Sequence, residues 1–196
     1  MSTEMDSPKP FMPLPEPKAL PLTAEAEELQ RKAVVTEALK WVNTPYHQQA
    51  DILGAGIDCS MLLVRAWVDA GVFKPFDPRP YPPNWHLHHS EERYLHWMEA
   101  LAVEVETPRA GDIALFQFGR CFSHGGIMIT PTQVVNASVL HGTTCISDMH
   151  EPWLVYFDKR GTRKRPTKFF DVWAAIHRQY PADPGTHQNS LAEVPR

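Results

Sequence analysis

Pro108 divides the chain into two stretches with different hydrophobic periods, and that change limits the fold more than any other feature. Before it, apolar residues recur at helical spacing. Val34, Ala38, Trp41 and Val42 follow i, i+4, i+7, i+8 and predict the buried stripe of a helix over 23–42. Thr23 can cap that helix, Glu25, Glu27 and Glu28 suit the positive end of its dipole, and Asn43 and Pro45 stop it. A second helix is expected over 59–70, with Asp58 as its cap and Gly71 beyond its end. Leu62, Leu63, Ala66, Trp67 and Ala70 form its apolar face. A loop rich in proline and aromatic residues (KPFDPRPYPPNW) follows, then a third helix over 90–102. Beyond Pro108, short β-branched and aromatic runs broken by Gly, Pro or polar turns predict strands over 112–118, 125–130, 133–138, 145–149 and 169–176. Helices first and antiparallel strands afterwards is an α+β arrangement.

The 196 residues are enough for one domain of ordinary size whose core needs no metal or disulfide staple. A net charge of −4 offers no global attraction to nucleic acid or an anionic membrane. No run approaches the roughly 18 apolar residues of a membrane-spanning helix. Three cysteines, Cys59, Cys121 and Cys145, are an odd number without CxxC spacing, so at least one free thiol is expected. The first residues lack the basic and apolar regions of a secretory signal, so export by a conventional signal peptide is not expected.

Six of the 19 prolines fall within the first 21 residues. They rule out helix or central strand there and favour an extended conformation. Residues 1–22 therefore read as an extended arm, either a disordered leader or a segment laid on a partner. Residues 23–180 form the domain, and the Pro-rich polar stretch 181–196 is a flexible tail.

Cys59 lies where the second helix begins. The unsatisfied N–H groups of a helix N-terminus favour thiolate over thiol and can hold the oxyanion formed when a thiolate attacks a carbonyl. A lone cysteine is more commonly a small buried hydrophobe, so its partners decide the matter. His124 heads an apolar strand and precedes two glycines, which leave room for a substrate backbone. Asn136 follows twelve positions later on the next strand, beyond the turn at Pro131 and Thr132, where a hairpin neighbour can fix the tautomer of His124.

The runs TPY ending at Tyr46, GIDCS ending at Ser60, PRAGDIALF from Pro108, SHGGIMI from Ser123 and VVNAS from Val134 together resemble the NlpC family of papain-like cell-wall cysteine peptidases. The resemblance covers roughly residues 33–148 and implies an NlpC-type papain-like fold, with helices packed on an antiparallel sheet. Carried over position by position, it implies Cys59 as nucleophile, His124 as base and Asn136 as the third member of a Cys-His-Asn set. Tyr46 would lie beside the thiol, and Asp58 and Ser60 would line the substrate cleft. No metal or organic cofactor is implied. The implied reaction is hydrolysis of an amide bond in peptidoglycan stem peptides.

Two departures matter. The third position is often His in that family, and HQQA replaces the Gly pair that often follows PY. The HQQA segment, the PYPPNW stretch and FGRCFSH resemble the branch found in bacteriophage tails and gene-transfer particles. That branch implies a virion location at a tail tip, synthesis in the bacterial cytoplasm, and tail-tip or hub partners for the arm. The competing expectation is a structural tail subunit with a peptidase fold and little or no activity. An acyltransferase of the same superfamily is disfavoured, because the His-before-Cys order of permuted relatives is absent.

Several other residues carry possible chemistry. His141 is a rival third member. His86, His88, His89 and His96 with Glu91 and Glu92 could hold a metal, although HExxH is absent and packing of Leu87, Tyr94, Leu95, Trp97 and Met98 explains the pattern. Cys121 reads as incidental. Lys159, Arg160, Arg163, Lys164, Arg165 and Lys168 read as a solvated loop between strands, or else as a patch for an anionic polymer.

Overall fold

A computed structural model describes residues 14–20, 22–81, 92–157 and 160–181. The fold is α+β. Helix α1 (Ala24–Lys40) begins where Thr23 Oγ1 accepts the Ala26 N–H at 3.2 Å and buries Val34 and Ala38. Strands β1 (Asp51–Ile52) and β2 (Gly56–Ile57) form a small antiparallel pair. Helix α2 (Cys59–Asp69) buries Met61, Leu62, Leu63, Val64, Ala66 and Trp67. Large apolar side chains of this kind contribute roughly 1.5–3 kcal/mol each when fully buried. Gly71 then takes a left-handed φ of 75° and turns the chain away. Helix α3 (Arg93–Leu101) precedes β3 (Val103–Val105), β4 (Ile113–Phe118), β5 (Cys121–Thr130), β6 (Gln133–Ser138) and β7 (Thr143–Asp148). A short helix α4 (Pro152–Val155), β8 (Thr167–Asp171) and helix α5 (Val172–Gln179) complete the described chain.

Six strands form one antiparallel sheet in the order β3-β8-β4-β5-β6-β7. Helices α1 and α2 pack together, and α2 lies against β5 and β6. Strand β4 explains why the apolar run IALF shows no polar alternation. Ile113 and Leu115 enter the main core beneath the helices, whereas Ala114 and Phe116 join Met128, Val134 and Leu154 on the other face.

One buried cation ties the layers together. Arg31, 2% exposed, donates to Glu27 Oε1, Asp112 Oδ1 and Asp171 Oδ2, each at 2.6 Å, and stacks 4.2 Å over Trp173. It joins α1 to the start of β4 and to the β8–α5 junction.

Five features differ from the sequence expectations. The strand expected over 169–176 ends at Asp171, because that carboxylate caps α5 by accepting the Ala174 N–H at 3.0 Å. Val172, Trp173 and Ile176 are then buried at helical spacing. Strand β5 starts at Cys121, four residues before the expected boundary, and β3 was not anticipated. The basic loop is not wholly solvated. Arg165 is half-buried, donates to the carbonyls of Gln117, Trp153, Leu154 and Tyr156, and stacks 3.7 Å over Phe118. Finally, the described end of the proline-rich segment lies on its own domain. Lys18 N–H donates to Val72 O at 2.9 Å, and Lys74 N–H donates to Glu16 O at 2.8 Å. Residues 1–13, the tail from 182 onward, His86, His88, His89, Glu91 and Lys159 lie outside the described residues.

Candidate active site

The site starts from the cap of α2. Asp58 has extended backbone, and its Oδ1 accepts the N–H groups of Ser60 at 3.1 Å and Met61 at 2.9 Å. Its Oδ2 accepts the Gln49 N–H at 2.6 Å, and the Tyr81 hydroxyl donates to both oxygens at 2.8 and 2.7 Å. Tyr81 belongs to the proline-rich loop, which Arg79 fastens to Asp51 and to the carbonyl of Gln49. Asp58 is expected at the substrate cleft, but it is 1% exposed and its oxygens are occupied by these donors. Its buried carboxylate ties the start of α2 to Gln49 and Tyr81.

Cys59, 9% exposed, follows at the first position of α2 and faces the backbone of β5. Its Sγ lies 3.9 Å from Ser123 O, and the Gly125 N–H donates to the sulfur. His124 is the residue between those two contacts. The thiol's pKa is pushed up to about 12, first by burial and then by the Asp58 charge. The N–H groups of Gly125 and Cys59 and the Ser60 hydroxyl pull the other way. Burial thus opposes the thiolate that the helix N-terminus favours.

The β5–β6 register sets Gly126 opposite Asn136. A Cβ at Gly126 would meet Val135 O at 2.7 Å and Asn136 Cβ at 3.0 Å, so the missing side chain permits this approach. Asn136 is fully buried and His124 is 8% exposed, and His124 Nε2 lies 3.1 Å from Asn136 Oδ1. The orientation of the amide is set by its other contacts. Asn136 Nδ2 donates to Ser147 Oγ at 3.2 Å and to Cys145 O at 3.5 Å, and a carbonyl only accepts. Oδ1 therefore faces the imidazole, and Nε2 must carry the hydrogen. In the neutral ring the lone pair then resides on Nδ1. Phe116, Phe118 and Trp153 surround the ring with centroids 5.2–6.3 Å away. Arg165, stacked on Phe118 and bonded to Trp153 O, braces that wall.

His141, the rival third member, engages a different set: Ser138 Oγ at 2.9 Å from its Nδ1, and the Trp153 ring at 5.0 Å. The Tyr46 hydroxyl donates to Gln48 Oε1 at 3.2 Å, and burial together with the nearby Cys59 and Asp58 raises its pKa. Ser60 stands beside the thiol on α2. Sequence reasoning gave Tyr81 and Gln49 no role in the site, although they lie in the PYPPNW and HQQA segments; their contacts with Asp58 depend on packing that the segments do not encode. Cys121 is buried at the start of β5 and its thiol is pushed up to about 11 by burial and Glu92. Among the described residues, no group of three or more His, Cys, Asp or Glu side chains is gathered to hold a metal ion. Nor is any described helix long and apolar enough to cross a membrane.

No family model matches the sequence, and no curated protein matches it. Solved structures do. NlpC1 from Trichomonas vaginalis aligns with 80% of this chain at 14% identity and a TM-score of 0.52. The fold is of the NlpC type. The aligned part spans 46% of that protein, so the present chain corresponds to about half of its length. The NlpC/p60 domain of the peptidoglycan hydrolase SagA aligns with 70% of this chain and 96% of its own, at 16% identity and a TM-score of 0.48. The peptidoglycan hydrolase RipB from Mycobacterium tuberculosis aligns with 77% of this chain and 68% of its own, at 18% identity and a TM-score of 0.48.

Proposed function

We propose that this chain is a cysteine peptidase that hydrolyses an amide bond in the stem peptides of peptidoglycan. Cys59 is the nucleophile, His124 its base and Asn136 the residue that orients the base. The observation that carries the proposal is the fixed Asn136 amide, which accepts from His124 Nε2 and so sets the tautomer of a histidine on the strand segment that the Cys59 sulfur faces. As Sγ attacks the carbonyl carbon, its proton passes to His124 Nδ1. Negative charge gathers on the carbonyl oxygen, where the N–H groups at the start of α2 can hold it. Collapse breaks the C–N bond, the departing amine takes the proton from His124, and a thioester remains. Water, deprotonated by His124, releases the acid and restores the thiol. Tyr46 and Ser60 contact the substrate.

The substrate class rests on the motif resemblance, and the NlpC-type fold is consistent with it. The test is release of new amines from purified peptidoglycan, with mass analysis of the fragments. Cys59→Ala abolishes release; unchanged release by that variant would sink the proposal.

The raised pKa and 9% exposure of Cys59 favour a second reading, a structural subunit of a phage-like tail that retains the fold with little activity. Delivery on a tail tip, with the proline-rich arm meeting hub proteins, is supported by the resemblance of the HQQA, PYPPNW and FGRCFSH segments to the tail-protein branch. Deleting residues 1–13 and counting assembled particles tests docking. Loss of particles from a variant that still releases amines supports it, and normal assembly counts against it.

A further inference from the structure

Tyr94, on α3 and outside every motif of the site, has a phenol that is buried without a hydrogen-bond partner. Four other buried side-chain atoms among the described residues share that condition: Arg65 Nε, Trp67 Nε1, Trp97 Nε1 and Thr144 Oγ1. Tyr94 differs in what it faces. A Cβ built on Gly125 would stand 2.7 Å from the Tyr94 hydroxyl and 3.4 Å from Leu63 Cδ1. The phenol therefore occupies the space left by the missing side chain of the residue whose N–H donates to Cys59 Sγ. Its helix is anchored there, because Glu92 Oε2 accepts the Phe122 N–H at 2.8 Å, two residues before His124.

The Ser60 hydroxyl lies beside both groups. It is close enough to both the Cys59 sulfur and the Tyr94 oxygen to favour the charged form of each, although the resting geometry gives the phenol no hydrogen bond. One hydroxyl can donate to one neighbour while accepting from another. A buried donor without an acceptor is costly and calls for an explanation, which an acceptor that arises during function would supply. Ionisation of Cys59 supplies one, since Ser60 would then turn its hydrogen fully toward sulfur and present a lone pair to the phenol.

We infer that Tyr94 is a positioning residue for the nucleophile: its phenol donates to Ser60 Oγ, which donates to the Cys59 thiolate. The relay forms when the thiol loses its proton and lapses when the proton returns. Tyr94 keeps its own proton throughout, because burial and the neighbouring Cys59 hold its pKa well above the ordinary value. A relay of two hydroxyls suits a site where desolvation has raised the thiol's pKa, because it stabilises the thiolate without adding a charge.

The inference rests on Cys59 being the ionising nucleophile, and its test reads the thiol directly. Iodoacetamide labelling of Cys59 is followed against pH by peptide mapping in the wild type, Tyr94→Phe, Ser60→Ala and the double variant. Tyr94→Phe keeps the ring and removes only the unpartnered hydroxyl, so thermal unfolding stays at or above the wild-type temperature. Cys59 labelling in Tyr94→Phe slows by about tenfold at a given pH, one unit of pKa, and the rate profile moves to higher pH. The double variant labels no more slowly than Ser60→Ala alone, as expected for two groups acting in series. An unmoved Tyr94→Phe profile overturns the inference, and so does a double variant slowed by the product of both single effects. A shifted profile in a protein that releases no amines from peptidoglycan overturns the peptidase proposal and leaves the relay standing.

Discussion

The Nε2 of His124 lies 3.1 Å from the Oδ1 of Asn136, across neighbouring strands whose register sets Asn136 opposite Gly126. Because Ser147 Oγ and Cys145 O hold the other end of the amide, this contact selects one imidazole tautomer. Asn136→Ala is expected to lower amine release from peptidoglycan by at least about tenfold. Asn136→Asp, which keeps an acceptor facing Nε2, should retain more activity. Equal activity in both variants would show that the acceptor does not matter.

Gly126→Ala tests the same register by packing. The added methyl would meet Val134 Cγ2 at 2.6 Å and Val135 O at 2.7 Å, and backbone cannot move aside cheaply. A loss of about 1–3 kcal/mol in urea unfolding is expected, with activity falling alongside it.

The Asp58 charge can be separated from its capping role. Asp58→Asn still offers an oxygen to the N–H groups of Ser60 and Met61 but removes the negative charge that raises the Cys59 pKa. Cys59 labelling by iodoacetamide should become faster at a given pH. Slower labelling, with the fold intact by circular dichroism, would refute this role for the charge.

The buried thiol also makes stability depend on alkaline pH. The native state holds the Cys59 proton up to about 12, whereas the unfolded chain releases it near 9.0. Between those values the unfolded state binds fewer protons, so stability falls as pH rises. The wild type should lose about 1 kcal/mol relative to Cys59→Ala on going from pH 8 to about pH 10. Urea unfolding of both proteins across that range measures it, and parallel curves would contradict it.

Arg31 is the structural counterpart of the site. Arg31→Met leaves the Asp112 and Asp171 carboxylates buried without their cation. Loss of one partner of a buried pair costs about 3–5 kcal/mol, so a large drop in the urea midpoint is expected. Arg31→Lys should recover only part, because an ammonium cannot present the guanidinium's fork to Glu27, Asp112 and Asp171 together.

By itself the sequence determined what depends on short spacing. The Thr23 and Asp58 caps, the stop at Gly71, the placement of Cys59 at a helix start and the hairpin that pairs His124 with Asn136 all follow from residues within about a dozen positions. Period-two and period-3.6 patterns also sufficed for the α+β class. They failed over 169–176, where Asp171 ends a strand by capping a helix and the apolar residues of both elements run together. Only the tertiary structure decided the rest. Tyr81 reaches Asp58 across 23 positions, and Arg31 joins Asp171 across 140, pairings that no local period encodes. Burial likewise opposes the Cys59 thiolate that the helix start favours, pushing the thiol's pKa up. A helix end is a local property, but desolvation sums over every element packed around the sulfur, and here that sum prevails.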